Sequence, residues 1–548
     1  MPTIEIDLSD LNRLLDKKFT LSELENPLKN LGIEIEGKTS EGYIKLEVHH
    51  DRPDLWGVEG VARALKGYLD IETGAPKYRI ENPLIKLEVD PALRDTRPVA
   101  VMGQIRNANF EDESLKALMD LQEKLHDILG RNREKISIGA YEIGDIEPPI
   151  RYTTIKPDEE GFVPLNFDEK LTPREILEKH PKGRKYGHLI KEADRYPLLV
   201  SSDGHVLSMP PIINSEKCRL TKKAENVGVD VTGTDEKIAR RALKVIMAAA
   251  AERGFEIHSV EVERPDGKIV TPDLTAATKS FELRRANKKL GLNIDPKKAS
   301  KIMERMRYDV LEIDEENISV EIPFYRFDLM HEVDIFEDLA IGYGYDNLEP
   351  LLPSLEITGK PHRMQKVCEV ARRTLTGLGF MEVMPYLLTS PELNFDQMGT
   401  SGEAVEIENP ISKEYSILRT WLVPGLMEVL EENKLHKLPQ RIFEVGDVVI
   451  LDEKSETGAI NIKRAAAASI GEDIDFTYIR SVAEALLREF NMDLNVESFK
   501  HPSFLEERTA KFTVNGEIQG FVGEVHPEVI TNFDLEHPVA AFEIDLPR

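Results

Sequence analysis

The stretch RFDLMHEVDIFEDLAIGYGYDNL, Arg326 to Leu348, restricts its own conformation more than any other part of this chain. Asp334, Glu337 and Asp338 stand at i, i+3 and i+4, so a helix sets them on one face and turns Ile335, Phe336, Leu339 and Ala340 to the other. A strand would scatter both sets across its two faces. Asp328 reaches toward the same end from one or two turns earlier. After Arg326 the next lysine or arginine is Lys360, so Asp328, Glu332, Asp334, Glu337, Asp338 and Asp346 have no local counter-charge. Like charges at helical spacing repel by a few tenths of a kcal/mol per pair. Solvent can carry that load, and so can a hard divalent cation such as Mg²⁺, which accepts a few carboxylates and keeps its waters. Basic residues of a partner chain are a third way, and spacing leaves all three open.

The chain has 548 residues, too many for one core, and roughly 150 residues per domain predicts three or four modules. No apolar run approaches the ~18 residues of a membrane span. The first residues, MPTIEIDLSD, carry acids where a secretory or mitochondrial signal would carry bases. Cys218 and Cys368 lie too far apart for a metal or disulfide framework, so the expected compartment is the cytoplasm. A net charge of -28 argues against indiscriminate nucleic-acid binding. Three basic clusters nevertheless fall in one region: Arg131, Arg133 and Lys135; Lys182, Arg184 and Lys185; Lys217, Arg219, Lys222 and Lys223. Such runs are usually solvated faces, but three together in an acidic chain suggest a local anionic partner, RNA among the candidates.

Local signals divide the chain. Thr20-Leu-Ser-Glu23 fits a capping box, with Gly32 placed to end the helix it starts. Ile44–Val48 alternates like a half-buried strand, and Val58, Val61, Leu65 and Tyr68 recur at helical spacing behind Asp54, the expected N-cap. Residues 1–89 form a first α/β unit. Residues 90–271 form a larger mixed α/β domain whose clearest element is the helix from Glu236 to Arg253, capped by Thr234 or Asp235 and followed by Gly254. Residues 272–350 form a small unit with two short helices around Gly291 and Asp295-Pro296, then a strand and the acidic helix. A Pro-rich exit, LEPLLPSLEITGKP, leads to residues 360–548, which read as α+β with an antiparallel sheet. The fold class is multidomain α+β.

Within the second unit, HVLSMPPIINSEK and DVTGTD bring Ser208, Asp230 and Thr232 to strand ends. Two hydroxyls and a carboxylate there can position a water or read a polar substrate group. Neither a Ser-His-Asp order nor a G-x-S-x-G elbow accompanies them, and turn or cap roles are the plainer reading.

Taken in order, DRPDLWGVEGVARAL, GRNREKISIGAYEIGDIEPPIRY, HPKGRKYGHLI, SMPPIINS, SFELRRANKKLGLNI, IPFYRFDLMHEVDIFEDLAIGYGYDNL, ENPISKEYSILRTWLVPGLMEVLEENK, RIFEVGDVV and GEVHPEVITNF resemble the β subunits of phenylalanyl-tRNA synthetases of the shorter archaeal or eukaryotic-cytosolic kind, over nearly the whole chain. The resemblance implies four parts: a B1-like unit (1–89), a B3/B4-like editing domain (90–271), a B5 domain (272–350) and a class II synthetase-like domain without adenylation motifs (360–548). It implies that Asp328, Asp334, Glu337 and Asp338 bind Mg²⁺ at a site shared with the α subunit. It also implies that Ser208, Asp230 and Thr232 belong to a pocket hydrolysing tyrosine wrongly attached to tRNA(Phe). ATP is then used by the holoenzyme, an (αβ)₂ heterotetramer, because the last segment lacks a Gly-x-Gly-x-x-x-Arg arginine and ends at AFEIDLPR. No room is expected for an inserted OB-type or a C-terminal anticodon-binding domain. Two rival readings are an RNA-binding scaffold subunit without editing, and a stand-alone Mg²⁺-dependent ester hydrolase.

Overall fold

The computed structural model describes residues 2–314, 316–350, 352–353, 358–492, 495–514 and 517–547. Part of the expected Pro-rich exit, Leu351 and residues 354–357, lies outside the described residues. The chain forms two compact units, Met1–Leu351 and Leu352–Arg548.

The first unit begins with an antiparallel sheet in the order Thr3–Ile6, Ile44–Glu47, Glu34–Lys38. Ile4, Ile6, Ile44 and Leu46 share a core with Leu24 and Leu28 of the helix Leu21–Asn30 and with Val58, Val61 and Leu65 of the helix Val58–Tyr68. The Thr20–Glu23 capping box forms as its sequence predicts, and Gly32 takes φ 74° just past the helix end. Asp54 does not cap its helix; Gly57 holds that position. Asp54 lies buried in a short 3₁₀ turn, Pro53–Leu55, where the Arg52 guanidinium donates to both its oxygens at 2.9 Å. A charge-assisted fork outcompetes a single backbone amide for that carboxylate.

The middle of this unit is a mixed sheet with eleven strands among the described residues. Its path runs Ile213–Asn214, Val206–Met209, Tyr196–Val200, Ile150–Ile155, Lys86–Val89, Glu256–Arg264, Val99–Arg106, Val227–Gly233, Ile136–Glu142. The helix Glu236–Glu252, capped by Asp235 and followed by Gly254 at φ 80°, lays Ala239, Ala242, Leu243 and Ile246 against Val227, Val229 and Val231. Alternation along that strand turns Asp230 and Thr232 the other way. The sheet curls until its two terminal strands approach, and Asn214 Nδ2 donates to the Ala140 carbonyl at 3.2 Å across the gap. Other side chains satisfy the outward backbone of the terminal strand Ile136–Glu142: Gln122 donates to the Ile138 carbonyl at 3.0 Å, and His126 Nε2 accepts from the Ile138 amide at 2.7 Å. This blunts an edge that would otherwise be open for pairing.

A third sheet, Ala277–Glu282, Asn317–Ile322, Asp309–Ile313, carries the helices Leu283–Leu290, Pro296–Arg305 and Glu332–Tyr343. Gly291 adopts φ 70° and Asp295 caps the second helix, as the sequence predicts. One continuous core joins the first sheet to this one. Arg253 ties in the N-terminal segment through Asp10 (2.8 Å) and Glu59 (2.5 Å).

The second unit is a seven-stranded sheet among the described residues, antiparallel except for Met381–Glu382, which runs parallel to Gln440–Leu451. Its strand Ala459–Ile470 carries four consecutive alanines that alternate between faces. Ala465 and Ala467 meet the helices Arg363–Gly377 and Phe476–Glu489, while Ala466 and Ala468 meet the helix Val423–Glu432. Small side chains on both faces let helices approach closely from either side. Among the described residues no helix is long and apolar enough to cross a membrane.

Candidate functional site

The seam of the curled sheet contains a cavity of about 210 Å³. Ser208, Asp230, Ser137, Gly139, Ile213 and Asn214 are among its lining residues. Asp230 interrupts a strand whose seven residues are all buried. Burial pushes its pKa well above the usual carboxylate value, and the Tyr141 hydroxyl bonds to its Oδ1. Directly across the ladder stands Gly139, where a Cβ would clash with that same oxygen. Ser208 is 3% exposed and its Oγ has no hydrogen-bond partner, which leaves it free for a bound group. Thr232 does not line the cavity. Its hydroxyl lies 3.0 Å from Ser137 Oγ, so Thr232 holds a lining serine from behind. A buried carboxyl and an unpaired hydroxyl in one cavity can recognise a hydroxyl-bearing side chain.

The three basic clusters converge on this cavity, since Arg133, Lys182 and Arg219 all line it. Each is ion-paired: Arg133 and Lys182 to Glu123 at 3.0 and 3.2 Å, and Arg219 to Glu216 at 2.7 Å. Sequence reasoning singled out Ser208 and Asp230 but missed Tyr141, Ser137 and Asn214. A glycine inside the strand-like run ISIGAYE was the available signal of a close approach at Gly139.

The four carboxylates of the expected Mg²⁺ site share a second cleft with His49, Asp51, Arg52 and Tyr345. Their counter-charge comes from the start of the same stretch, which corrects the view of an acidic face without a local base. Arg326, 8% exposed, pairs with Asp328 at 2.6 Å and Asp338 at 2.8 Å. The Tyr308 hydroxyl also bonds to Asp338. Burial pushes the Asp328 pKa up, but the Arg326 charge and hydrogen bonds bring it below the ordinary carboxylate value. Asp334 Oδ2 accepts from the amides of Met330 (2.7 Å) and His331 (2.6 Å), and Glu332 pairs with Arg285 at 2.5 Å. Glu337 has its pKa raised by burial and by Asp338, Asp51 and Asp334. Within the expected Mg²⁺ ligand set, Arg326 and the two backbone amides engage both Asp328 oxygens, Asp334 Oδ2 and Asp338 Oδ2, while among the described residues Asp334 Oδ1, Asp338 Oδ1 and the Glu337 carboxylate carry no hydrogen bond and are the oxygens that would hold a cation. Among the described residues no group of three His, Cys, Asp or Glu stands ready to hold a metal ion.

Three family profiles match the chain: "Phe-tRNA synthetase beta subunit B1 domain" over residues 1–71, "tRNA synthetase B5 domain" over 279–345, and "Phenylalanyl tRNA synthetase beta chain CLM domain" over 348–546. The phenylalanine–tRNA ligase β subunit of Methanocaldococcus jannaschii is 40% identical, with all of both chains covered. That of Pyrococcus horikoshii is 41% identical over all of this chain and 99% of its own. A crystal structure of an N-terminal fragment of the phenylalanyl-tRNA synthetase β subunit from Pyrococcus horikoshii is 41% identical, with a TM-score of 0.61, and the match covers 62% of this chain and 99% of the fragment. With full-length identity at this level and a cavity and cleft built from the motifs that carry the likeness, the chain belongs to the phenylalanine–tRNA ligase β-subunit family.

Proposed function

We propose that the chain works in the cytoplasm with an α subunit in an (αβ)₂ heterotetramer, that the α subunit uses ATP to attach phenylalanine to tRNA(Phe), and that the seam cavity hydrolyses tyrosine wrongly attached to that tRNA. The observation that carries this reading is the presence of Ser208 and Asp230 in one cavity, a hydroxyl without a partner together with a buried carboxyl whose pKa burial raises. A pocket shaped for phenylalanine rejects an analogue that merely adds a hydroxyl by only about 10²-fold, so a second, hydrolytic sieve that reads the hydroxyl raises fidelity. In that sieve the phenol bonds to the polar pair while the apolar wall takes the ring. The ester carbonyl is then held at the mouth for attack by water. Tyr141 fixes the Asp230 carboxyl, and Thr232 orients Ser137. Lys182 and Arg219 on the rim favour the tRNA backbone, although their pairing with Glu123 and Glu216 tempers the charge.

The test is release of tyrosine from Tyr-tRNA(Phe) by the chain co-expressed with its α partner. Ser208→Ala and Asp230→Asn are expected to slow release while phenylalanine-dependent ATP–pyrophosphate exchange persists. A wild-type complex that leaves Tyr-tRNA(Phe) intact would establish a scaffold subunit instead.

A further inference from the structure

Between the parts built on the first and third sheets lies a small cavity of about 20 Å³ walled by arginine. Arg52 and Arg63 reach it from the N-terminal part, and Arg305, Arg307 and Arg326 from the part that carries the acidic helix. Asp54 is the one carboxylate among its lining residues. It serves two of the five guanidiniums, since the Arg52 fork takes both its oxygens and Arg63 stands 3.9 Å from Oδ2. Burial and then the Arg326 charge oppose a charged Arg52, and Asp54 and Asp328 outweigh them. Arg305 and Arg307 pair instead with Asp70 and Glu72, whose side chains are 64% and 52% exposed and so screened by solvent. Positive charge is therefore in excess at the cavity itself.

Two lining groups also lack a partner. The Tyr325 hydroxyl and Arg307 Nε make no hydrogen bond within the protein, although their residues are only 2% and 4% exposed. The other Arg307 nitrogens are taken, Nη1 by the Glu72 carbonyl and Nη2 by its carboxylate. Arg307 is held at φ 68°, a left-handed conformation that a non-glycine residue keeps where its surroundings over-determine it. The Tyr325 ring is fixed by Arg63, whose guanidinium lies 3.8 Å from its centroid. Burial raises the Tyr325 pKa, so the phenol keeps its proton and can donate. Both unpaired groups are thus donors. A water between them would bring two hydrogens that need acceptors of their own, whereas a halide only accepts. The volume suits one water-sized occupant, which excludes phosphate, sulfate and carboxylates.

We propose that this cavity is a structural site for a monatomic anion of the chloride type, held by the Tyr325 hydroxyl and Arg307 Nε among the guanidiniums of Arg52, Arg63 and Arg326. The anion offsets buried positive charge where the two parts join. Arg52 and Arg326 also line the acidic cleft, so the same anion steadies the guanidiniums that border its carboxylates.

The test uses the co-expressed αβ complex in sodium chloride, bromide or gluconate at equal ionic strength. Wild type is expected to melt higher in chloride than in gluconate, with the rise following the linkage relation for one site. Crystals grown in bromide are expected to show an anomalous peak in the cavity. Tyr325→Phe removes a donor to the anion without removing a hydrogen bond within the protein. It is expected to melt like wild type in gluconate, to bind chloride roughly 10-fold more weakly by chloride NMR line broadening, and to lose most of the chloride-dependent rise. Arg307→Lys keeps a charge for Glu72 but lacks Nε, and is expected to weaken binding in the same way. Should Arg307→Lys fail to fold, Tyr325→Phe and the bromide peak decide alone. A cavity without a bromide peak overturns the proposal and leaves a water site. Equal melting in chloride and gluconate overturns it as well, and so does a chloride-dependent rise that Tyr325→Phe leaves unchanged, since the halide then acts elsewhere.

Discussion

Replacing Arg326 with methionine tests whether the acidic cleft is closed by an internal guanidinium. The side chains of Arg326, Asp328 and Asp338 are only 4%, 12% and 3% exposed, so the substitution strands two buried carboxylates beside Tyr308 and Glu337. Removing one partner of a buried pair costs about 3–5 kcal/mol, because the remaining charge stays desolvated. For a unit this large that corresponds to a fall in melting temperature of roughly 4–7 °C. The assay is thermal unfolding of the co-expressed complex in EDTA and in millimolar MgCl₂. Wild type is expected to melt at the same temperature in both, since a ligand stabilises a fold only by binding it, by about 2.7 kcal/mol at a hundred times its dissociation constant. Arg326→Met is expected to melt lower in EDTA and to recover part of the loss in MgCl₂, because Asp328 and Asp338 then join Glu337 as hard oxygen ligands. The pH dependence has a definite sign. The Asp328 pKa is depressed in the fold, so its contribution is present above the unfolded carboxylate pKa and lost as pH falls through the folded value, and the variant lacks that loss. A wild-type melting temperature that rises with MgCl₂, with the rise abolished by Asp334→Asn or Glu337→Gln, would refute the reasoning and show that Arg326 yields to a cation.

Gly139→Ala places a methyl against Asp230 Oδ1 and the Tyr141 ring; it should destabilise the unit by about 1–3 kcal/mol and impair tyrosine release, measured by denaturant unfolding and deacylation. His126 is held down to about 4 by burial against an ordinary 6.5, so it adds stability above pH 6.5 that is lost as pH falls toward 4, about 3 kcal/mol in all. His126→Leu should flatten that part of the stability–pH curve, and at neutral pH should cost about 1–3 kcal/mol for the Ile138 amide it leaves unpaired. In the second unit, Glu543 accepts from the amides of Leu422 (2.8 Å) and Val423 (3.2 Å) and pairs with Arg464 at 2.9 Å; Glu543→Gln should lower stability by about 2 kcal/mol in chemical denaturation.

What could be read from the sequence were features whose causes lie within a few residues. The Thr20–Glu23 capping box, the helix Glu236–Glu252 with its Asp235 cap, and the turn at Gly291 depend on spacings of three or four, and they formed accordingly. Asp230 was singled out with Ser208 and Thr232 as a strand-end group, but it lies in the middle of a fully buried strand, an acid amid valines, and such contradictions with the surroundings gather at functional sites. Its partners were not legible. Tyr141 lies 89 residues away, and Asn214 meets Ala140 only because the sheet curls its ends together, a consequence of strand order that no local period encodes. Arg326 misled in the opposite direction. It opens the acidic stretch, and a scan for bases after it finds none until Lys360, yet the chain folds back so that this first residue forks onto Asp328 and reaches Asp338 a dozen positions on. The same holds for Asp54, whose turn position suggested a cap until Arg52 claimed both its oxygens. In both cases a guanidinium two residues ahead of a carboxylate wins because a bidentate charged contact, once buried, outweighs either a single backbone amide or hydration. An Arg-x-Asp pair that leads into a helix is therefore better read as a closed ion pair than as a free acid, and the acids that follow it have one fewer reason to wait for a metal.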